Sequence, residues 1–287
     1  MKCTMIEIFL SVVVLMIKSP LRYPGGKSKA IDQISPLIPD HYEYREPFVG
    51  GGSVFLYCKQ TFQGKRYWIN DLNLDLYLFW KYASESNQNL VSAIRQVKMD
   101  FPEGRVLFEK YKGNWGSFSD FDRAVRFFVL NRITFSGTID SGGYSDLAFR
   151  KRFTDSSIDR ITCLEGLLKG INITNFDYEP VVTAPGENVF IFLDPPYFST
   201  TKSRLYGKNG DLHAGFDHER FAFIMKNCKH KWLITYDDCE DIRKLFKQSF
   251  ILPWSLQYGM NNYLQDNARK GNEIFISNYP LYDLSKG

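Results

Sequence analysis

Short strand-like runs alternate with helical segments along most of the chain, and this alternation constrains the fold more than any other feature. The runs are rich in β-branched and aromatic residues, have the length of strands and are bounded by turn residues. They cover residues 44–48, 66–71, 171–177, 188–194, 231–237, 250–257 and 273–278. Strands that alternate with helices predict an α/β protein. Because an Asn- and Gly-rich stretch joins the last two runs, we expect these two to pair as an antiparallel hairpin.

The stretch between the second and third runs has a different pattern, because most of it is helical. Its clearest helix covers residues 122–135, where apolar residues recur around most of the circumference. A Gly- and Ser-rich loop follows at 136–145. We therefore predict an insert at 76–159 between two parts of one α/β domain, residues 18–75 and 160–287.

Composition and charge bound the class of protein. The 287 residues carry a net charge of +4, which permits a polyanionic partner without requiring one. None of the five cysteines is spaced as C-x-x-C, so the sequence predicts neither a zinc knuckle nor a redox motif. We expect reduced thiols, a cytoplasmic protein and no metal site.

The first residues form a separate apolar segment. Residues 6–17 are almost entirely apolar, but the run is too short to span a membrane. A single preceding lysine and the lack of a small-residue cleavage site argue against an export signal. We expect residues 1–17 to be an N-terminal extension, Met16 to be the natural start, and no membrane to be among the partners.

Two acidic residues end successive strand-like runs in the first part of the chain. Glu46 begins EPFVGGGS, residues 46–53, where Gly50 and its neighbours form a strand-to-helix turn that lets the backbone approach a ligand closely. Asp71 ends the next run, and an acid at that position commonly binds the ribose hydroxyls of an adenosine cofactor. A tight glycine turn and a helix N-cap are the structural alternatives for these positions.

The most specific motif is DPPY at 194–197, directly after an apolar run. Pro195 and Pro196 stiffen the loop and thereby fix Asp194 and Tyr197 in one local geometry. A carboxylate and a backbone carbonyl both accept hydrogen bonds from an exocyclic amine, and a tyrosine ring stacks on the heterocycle that carries it. A rigid turn alone would give no reason for the acid and the aromatic residue to be together.

The segment LRYPGGKS, residues 21–28, ends like a phosphate-binding P-loop. That motif requires glycine where Leu21 stands, which argues against a P-loop and against a nucleotide kinase. Lys27 is nevertheless a candidate for pairing with the carboxylate of a ligand, and Tyr23 is a candidate for packing on it.

Taken in order, these segments resemble the Dam-like, D12-class DNA adenine-N6 methyltransferases of the alpha group. The resemblance covers nearly the whole chain from Leu21 onwards. It rests on YPGGK at 23–27, EPFVGGG at 46–52, ND at 70–71, FFVLNR at 127–132, NFD at 175–177 and DPPY at 194–197. It implies a Rossmann-like, seven-stranded S-adenosylmethionine-dependent sheet with a helical target-recognition insert at 76–159, which agrees with the count of strand-like runs.

The resemblance also implies how the chain holds the methionine end of S-adenosylmethionine. Tyr23 and Lys27 would bind that end, with Lys27 pairing with the carboxylate. Glu46 would face the ammonium group beside the glycine turn that contains Gly50.

For the adenosine end, the resemblance implies that Asp71 binds the ribose hydroxyls and Asp177 the adenine amine. Asp194 would lie between the cofactor and the target base. Hydrogen bonds from the target amine to Asp194 and to the Pro195 carbonyl would aim the nitrogen lone pair at the methyl group. The target adenine must leave the duplex stack to reach this pocket, and Tyr197 would stack on it.

The segment after the 122–135 helix departs from the Dam enzymes that read GATC. We expect Arg132, Phe135, Ser136 and Asp140 to contact DNA, with Phe135 either inserted into the duplex or closing the helical core. Aligned on Gly137, the guanine-reading arginine of those enzymes falls on Asp140. Because aspartate cannot make the bidentate contact to guanine that arginine makes, the sequence predicts a target other than GATC.

Several alternatives stay open. No cysteine follows a proline, which argues against methylation of cytosine at carbon 5. The amine of N4-cytosine, an RNA base or a protein glutamine would suit the same motif, and a catalytically idle DNA-binding protein would share the scaffold. The helical insert favours double-stranded DNA. We expect a bacterial or phage-encoded, nucleoid-associated monomer or weak dimer, with a cognate restriction endonuclease as a candidate partner.

Overall fold

The computed structural model describes residues 16–113, 118–137, 139, 142–198, 215–256 and 271–281. A seven-stranded sheet lies at its centre, in the order β3-β2-β1-β4-β5-β7-β6. The strands are β1 (Glu43–Glu46), β2 (Arg66–Asn70), β3 (Asn172–Thr174), β4 (Val189–Leu193), β5 (Lys231–Asp237), β6 (Phe250–Leu256) and β7 (Gly271–Ser277). Strands β1 to β5 are parallel, whereas β7 runs antiparallel to both β5 and β6. The predicted α/β fold and the antiparallel pairing of the last two strands are confirmed.

Helices cover both faces of the sheet. They are α1 (Ile31–Ile34), α2 (Ser53–Thr61), α3 (Leu74–Glu85), α4 (Asn87–Asp100), α5 (Gly104–Lys112), α6 (Asp120–Ile133), α7 (Asp146–Arg152), α8 (Asp155–Thr162), α9 (Tyr178–Thr183), α10 (His218–Asn227) and α11 (Glu240–Leu245). Within the described part of the chain, none of the helices is both long and apolar enough to cross a membrane.

Strand β4 lies between two hydrophobic cores and is buried along its whole length. Phe190 and Phe192 belong to the core that contains residues of α2, α3 and α6, while Ile191 and Leu193 belong to a second core with residues of α10. Neighbouring residues belong to different cores because successive side chains of a strand point to opposite sides of the sheet, and here both sides are covered. The DPPY segment follows this strand directly, so a rigid scaffold positions it.

The predicted insert packs closely on the sheet. Its first helix, α3, begins at Leu74 and is capped by Asn73, whose side chain accepts hydrogen bonds from two backbone N–H groups. Phe79 of α3 stacks on Phe128 of α6, with ring centroids 5.9 Å apart, and both belong to the same core as the sheet. The predicted boundaries at 76 and 159 fall inside α3 and α8, and the division into domain and insert stays a prediction.

A short segment before α1, residues 19–26, connects the insert to the sheet, and we call it the strap. Asn131 of α6 holds Arg22 from both sides: its Oδ1 accepts from the Arg22 N–H at 2.9 Å and its Nδ2 donates to the Arg22 carbonyl at 2.7 Å. The adjacent Arg132 is buried and donates to the carbonyl of Pro20. Helix α6 therefore fixes the strap by its backbone.

Candidate active site

A pocket of about 640 Å³ opens beyond the carboxyl ends of β1, β2, β4 and β5. In open α/β sheets ligands bind at this edge, and the volume suits a ligand of cofactor size. Every residue predicted to bind the cofactor lines it, as do all four residues of DPPY: Tyr23, Lys27, Glu46, Gly50, Asp71, Asp177, Asp194, Pro195, Pro196 and Tyr197. The structure thus brings these residues together, although their roles toward a ligand stay predictions.

The glycine turn after β1 forms one wall of the pocket. Gly50 and Gly52 have φ angles of +47° and +67°, a region that side chains with a Cβ disfavour. A Cβ at Gly50 would lie 2.9 Å from the ring of Tyr23, and one at Gly52 would lie 2.7 Å from the ring of Trp80. The strap and α3 therefore pack directly on this turn, and the strap presents Tyr23 to the pocket.

Asp71 lies opposite this turn. Its Oδ2 accepts a 3.0 Å hydrogen bond from the Gly50 N–H, and its Oδ1 accepts one of the same length from Asn73. Burial raises the pKa of Asp71 to about 6, although these two hydrogen bonds act in the other direction. The N-cap of α3 is Asn73, so the alternative reading of Asp71 as a helix N-cap is wrong.

Asn70 fixes the loops around Asp71. Its buried side chain donates to the carbonyls of Pro47 and Phe176, each at 3.0 Å, and accepts from the Thr174 hydroxyl and the Phe176 N–H at 2.8 Å. The loops after β1, β2 and β3 are therefore joined by one amide. The sequence signal for this residue is an asparagine at the end of a strand, which motif analysis did not distinguish from its acidic neighbour.

Asp194 is held by two groups from distant parts of the chain. The Lys27 ammonium lies 2.7 Å from both of its oxygens, and the Thr235 hydroxyl donates to Oδ1 at 2.6 Å. Lys27 is only 3% exposed and also donates to the Gly25 carbonyl at 3.0 Å. Lys27 was expected to pair with the carboxylate of a ligand, whereas the structure pairs it with Asp194. Thr235, on β5, is a contact that the motifs did not reveal.

Tyr197 is anchored at its hydroxyl. It donates a 2.5 Å hydrogen bond to Oε2 of Glu273 on β7, and the Lys27 ammonium lies 5.0 Å from its ring centroid. Burial raises the pKa of Glu273 to about 7. Sequence reasoning missed Glu273, for which the signal is a carboxylate directly before the apolar run at 274–276.

Glu46 is a deeply buried acid of the pocket, with only 3% of its surface exposed. Tyr44 donates to its Oε2 at 2.5 Å. Burial raises the pKa of Glu46 well above its usual range, and the nearby charges of Asp194 and Asp71 contribute to the rise. The pocket therefore gathers carboxylates that repel one another, which favours a ligand carrying positive charge.

Asp177 lies at the rim of the pocket. It caps α9 by accepting from the Glu179 N–H at 3.0 Å, and Arg220 of α10 forms an ion pair with it at 3.0 Å. Both side chains of this pair are partly exposed. Asp177 is thus oriented by two partners and lines the pocket.

The residues expected to contact DNA lie in different environments. Arg132 is only 4% exposed, and burial together with the charges of Arg160, Arg22 and Arg152 lowers its pKa to about 9. This position does not fit a direct contact with DNA, because the guanidinium faces the strap. The prediction failed because helical periodicity does not show in which direction a long side chain points.

Phe135 and Ser136 follow α6 in a tight turn. Phe135 is 71% exposed, so it does not close the helical core. Ser136 adopts a positive φ of +57°, which turns the chain sharply at this point. Asp140 lies outside the described residues.

A family model described as D12 class N6 adenine-specific DNA methyltransferase matches residues 23–260. The chain is 26% identical over 206 residues to the type II methyltransferase M.MjaIII of Methanocaldococcus jannaschii, which covers 65% of this chain and 71% of that protein. It is 26% identical over 267 residues to the type II methyltransferase M.CviBI of Paramecium bursaria Chlorella virus NC1A, covering 90% and 96%. It is 27% identical over 243 residues to the DNA N-6-adenine-methyltransferase of Escherichia phage P1, covering 81% of this chain but only 31% of that protein.

Proposed function

The chain belongs to the D12 class N6 adenine-specific DNA methyltransferases, and from this membership we propose that it transfers a methyl group from S-adenosylmethionine to the N6 amine of adenine in duplex DNA. The membership makes the chain an adenine-specific DNA methyltransferase with DNA as its substrate. We propose in addition the methyl donor, the residues that bind it, the extrusion of the target base and a target other than GATC.

The charge of the pocket is the main reason for proposing S-adenosylmethionine as the methyl donor. Glu46, Asp71, Asp194 and Glu273 all line the pocket, and the ammonium of Lys27 pairs with Asp194. Burial and the neighbouring carboxylates keep the pKa of Glu46 well above its usual range. A ligand with a sulfonium and an ammonium group relieves this repulsion. The pocket residues therefore fit S-adenosylmethionine.

We assign the donor's groups to the walls of the pocket. Glu46 faces the methionine ammonium, and the backbone at Gly50 with the ring of Tyr23 forms the adjoining wall. Asp71 accepts from the ribose hydroxyls, and Asp177 accepts from the adenine amine with the free lone pairs of its oxygens.

Lys27 has two candidate partners, and we propose that Asp194 is the main one. Its ammonium lies within hydrogen-bonding distance of both oxygens of Asp194. A methionine carboxylate would share the third ammonium proton with the Gly25 carbonyl, which Lys27 also contacts. The predicted contact of Lys27 with the donor is therefore secondary to its contact with Asp194.

S-adenosylmethionine supplies an electrophilic methyl group, and the DPPY segment orients the nucleophile. Asp194 and the Pro195 carbonyl accept one hydrogen bond each from the target amine, which favours a pyramidal nitrogen with its lone pair aimed at the methyl group. Lys27 and Thr235 hold Asp194 at 2.7 and 2.6 Å, and Pro196 restricts the loop. Catalysis then comes from positioning and local electrostatics.

Access to this pocket requires that adenine leave the duplex. We propose that Tyr197 stacks on the extruded base, a contact worth roughly 1–3 kcal/mol. Phe135, exposed at the turn after α6, would occupy the space left in the duplex, with Ser136 beside it.

A cluster of arginines near this turn suits the DNA backbone. Arg22, Arg152 and Arg160 lie close enough to lower the pKa of the buried Arg132 to about 9, after burial itself. Among the described residues, none of these three arginines forms an ion pair with a carboxylate. Arginines without a protein counterion are suited to neutralise phosphates.

A transfer assay tests the donor and the substrate together. Purified protein is incubated with labelled S-adenosylmethionine and unmethylated duplex DNA, with RNA and a glutamine-containing peptide as competing acceptors. We expect label in DNA, no transfer by Asp194→Ala, and full transfer by Glu187→Gln, a change at an exposed position. Donor binding without label in DNA would favour the RNA or glutamine alternative, and lack of donor binding would favour the idle scaffold.

We also propose that the target sequence is not GATC. It rests on Asp140, which would accept from a cytosine amine or cap a turn where GATC-reading enzymes carry arginine. Sequencing that maps modified bases in genomic DNA treated with the protein should show one sequence context that is not GATC. Methylation confined to GATC would contradict this part.

Relatives named type II methyltransferase and modification methylase support a place in restriction and modification. We therefore propose a cognate restriction endonuclease as partner, and a monomer or weak dimer in solution. An endonuclease that cuts unmethylated DNA at the mapped site, and spares the methylated form, would be the expected partner.

A further inference from the structure

Glu273 on β7 lies beside the DPPY segment, far from it in sequence. Its Oε2 accepts the 2.5 Å hydrogen bond from the Tyr197 hydroxyl. In the antiparallel pair of β5 and β7, Glu273 stands opposite Asp237, the last residue of β5. The Lys27 ammonium lies near the ring of the same tyrosine. Tyr197 is therefore held at the hydroxyl end by a carboxylate from another strand.

The burial of this carboxylate costs free energy. Glu273 is only 2% exposed, and its Oε1 has no hydrogen-bond partner among the described residues. Burial raises the pKa of Glu273 to about 7; Lys27 and Tyr197 act in the opposite direction, and Asp194 and Asp237 add to the rise. A neutral side chain would serve the stability of the fold better. Groups of this kind concentrate at functional sites.

We propose that Glu273 is a positioning residue, which holds the ring of Tyr197 through its hydroxyl in the orientation that stacks on the extruded target adenine. The inference rests on the proposed function, because Tyr197 has a base to stack on only if the chain methylates adenine extruded from DNA. Fixing the hydroxyl fixes the ring plane before the base arrives, so less conformational freedom is lost on binding. Glu273 acts on the target base through Tyr197.

The protonation state of Glu273 controls this bond, because an ionised acceptor forms the stronger hydrogen bond. The charged and titratable groups that act on it from the neighbouring elements are Lys27, Asp194, Tyr197 and Asp237. With the donor saturating, single-turnover methylation should decrease as the pH is lowered through about 7. In Glu273→Gln this pH dependence should be absent.

The effect of Glu273 on stability has the opposite sign. Its folded-state pKa lies above the ordinary value of 4.5, so protonation favours the folded state. The stabilisation is complete below the ordinary pKa and is lost as the pH rises through about 7. Glu273→Gln should therefore melt at the same or a higher temperature than the wild type at pH 8, although it is less active.

The test is a double-mutant cycle on single-turnover methylation. The variants are Glu273→Gln, Tyr197→Phe and the double variant, with Glu187→Gln as a matched control at an exposed position. The Gln amide oxygen still accepts from the Tyr197 hydroxyl, but replacing a charged acceptor by a neutral one weakens the bond, which predicts a decrease of roughly 5- to 10-fold in Glu273→Gln at a pH above 7. Because Tyr197→Phe removes the hydroxyl, Glu273→Gln should cause no further decrease in that background. A 2-aminopurine at the target position reports whether base extrusion changes in parallel.

The outcomes separate the inference from the proposed function. Independent effects of the two substitutions, or full activity of Glu273→Gln, would overturn the positioning role while the wild type still methylates DNA. A lower melting temperature of Glu273→Gln at pH 8 would also overturn it, because the residue would then serve the fold. A wild type that transfers no methyl group to DNA would overturn the proposed function, and the positioning role with it.

Discussion

At the scale of single residues, the pocket contains acids whose charge changes within the physiological pH range. Asp71 accepts backbone hydrogen bonds from Gly50 and Asn73, which favour its ionised form. Burial outweighs them and raises the pKa of Asp71 to about 6. Only the ionised carboxylate accepts from both hydroxyls of a ribose while keeping these two bonds. The assigned contact with the methyl donor is therefore sensitive to pH.

We predict that affinity for S-adenosylmethionine decreases as the pH is lowered from 7 to 5. Protonation of Asp71 removes an acceptor, so the dissociation constant should rise by up to about tenfold per pH unit below 6. Calorimetric titration measures this dependence. Asp71→Asn should abolish it, whereas Asp40→Asn, at an exposed position, should preserve it. A wild-type affinity that is constant between pH 5 and 7 would contradict the assignment of Asp71.

Local motifs predict some of these residues and miss others. Asp194 and Tyr197 stand in one tetrapeptide, so their proximity follows from the sequence. The partners of the site are distant along the chain: Lys27 and Asp194 are separated by 167 positions, and Tyr197 and Glu273 by 76. Such contacts depend on the order of strands in the sheet. Whether Arg132 faces solvent or the strap depends on packing, which periodicity does not encode.

At the scale of elements, the helices between β2 and β3 are joined to the pocket. Trp80 of α3 packs on Gly52 at the start of α2, and its indole N–H donates to the Gly50 carbonyl at 3.1 Å. Asn131 of α6 holds the strap that carries Lys27 toward Asp194. A change in the insert on binding DNA would thus reach both walls of the pocket.

We predict that Gly52→Ala destabilises the protein more than Gly64→Ala. Both glycines have φ near +70°, so each substitution places alanine in the left-handed region at a cost of about 1–2 kcal/mol. A Cβ at Gly52 would lie 2.7 Å from the Trp80 ring, whereas nothing lies within 4 Å at Gly64. Overpacking should add about 1–3 kcal/mol at Gly52 alone. Urea unfolding measures the free energy of unfolding of both variants. Equal destabilisation would show that α3 moves to accommodate the added methyl group without a loss of stability.

The strands were predictable because turn residues bound each run and the runs have the composition and length of strands. The position of β7 between β5 and β6 was not, since a hairpin on its own does not show which of its strands pairs with the rest of the sheet. The boundaries of the insert were placed inside α3 and α8. Those helices share a core with the sheet, so no change in composition marks where the insert begins.

At the scale of the whole molecule, the arginine cluster near the exposed Phe135 lies on α7, α8 and the strap. Arg152 ends α7 and Arg160 lies in α8, while Arg22 belongs to the strap. These charges repel the charge of the buried Arg132. Together with burial, which has the larger effect, they lower the pKa of Arg132 to about 9. The duplex would relieve this repulsion where it meets the chain.

We predict that Arg152→Gln weakens binding of duplex DNA about equally for all sequences. Loss of one phosphate contact should reduce the slope of log affinity against log salt concentration by about 1. Fluorescence anisotropy at several salt concentrations measures the slope. Arg243→Gln is the control, because Arg243 already pairs with Asp238 at 2.5 Å. An unchanged slope in Arg152→Gln would remove this cluster from the DNA interface.

The chemical identity of the methylated base tests most directly whether the pocket methylates adenine. Duplex DNA is incubated with labelled S-adenosylmethionine and the protein, digested to nucleosides and separated by mass. We predict that all label is in N6-methyldeoxyadenosine, and that Asp194→Asn, which keeps the shape of the side chain, yields almost none. Label in N4-methyldeoxycytidine, or full transfer by Asp194→Asn, would contradict the assignment of the pocket to adenine methylation through Asp194.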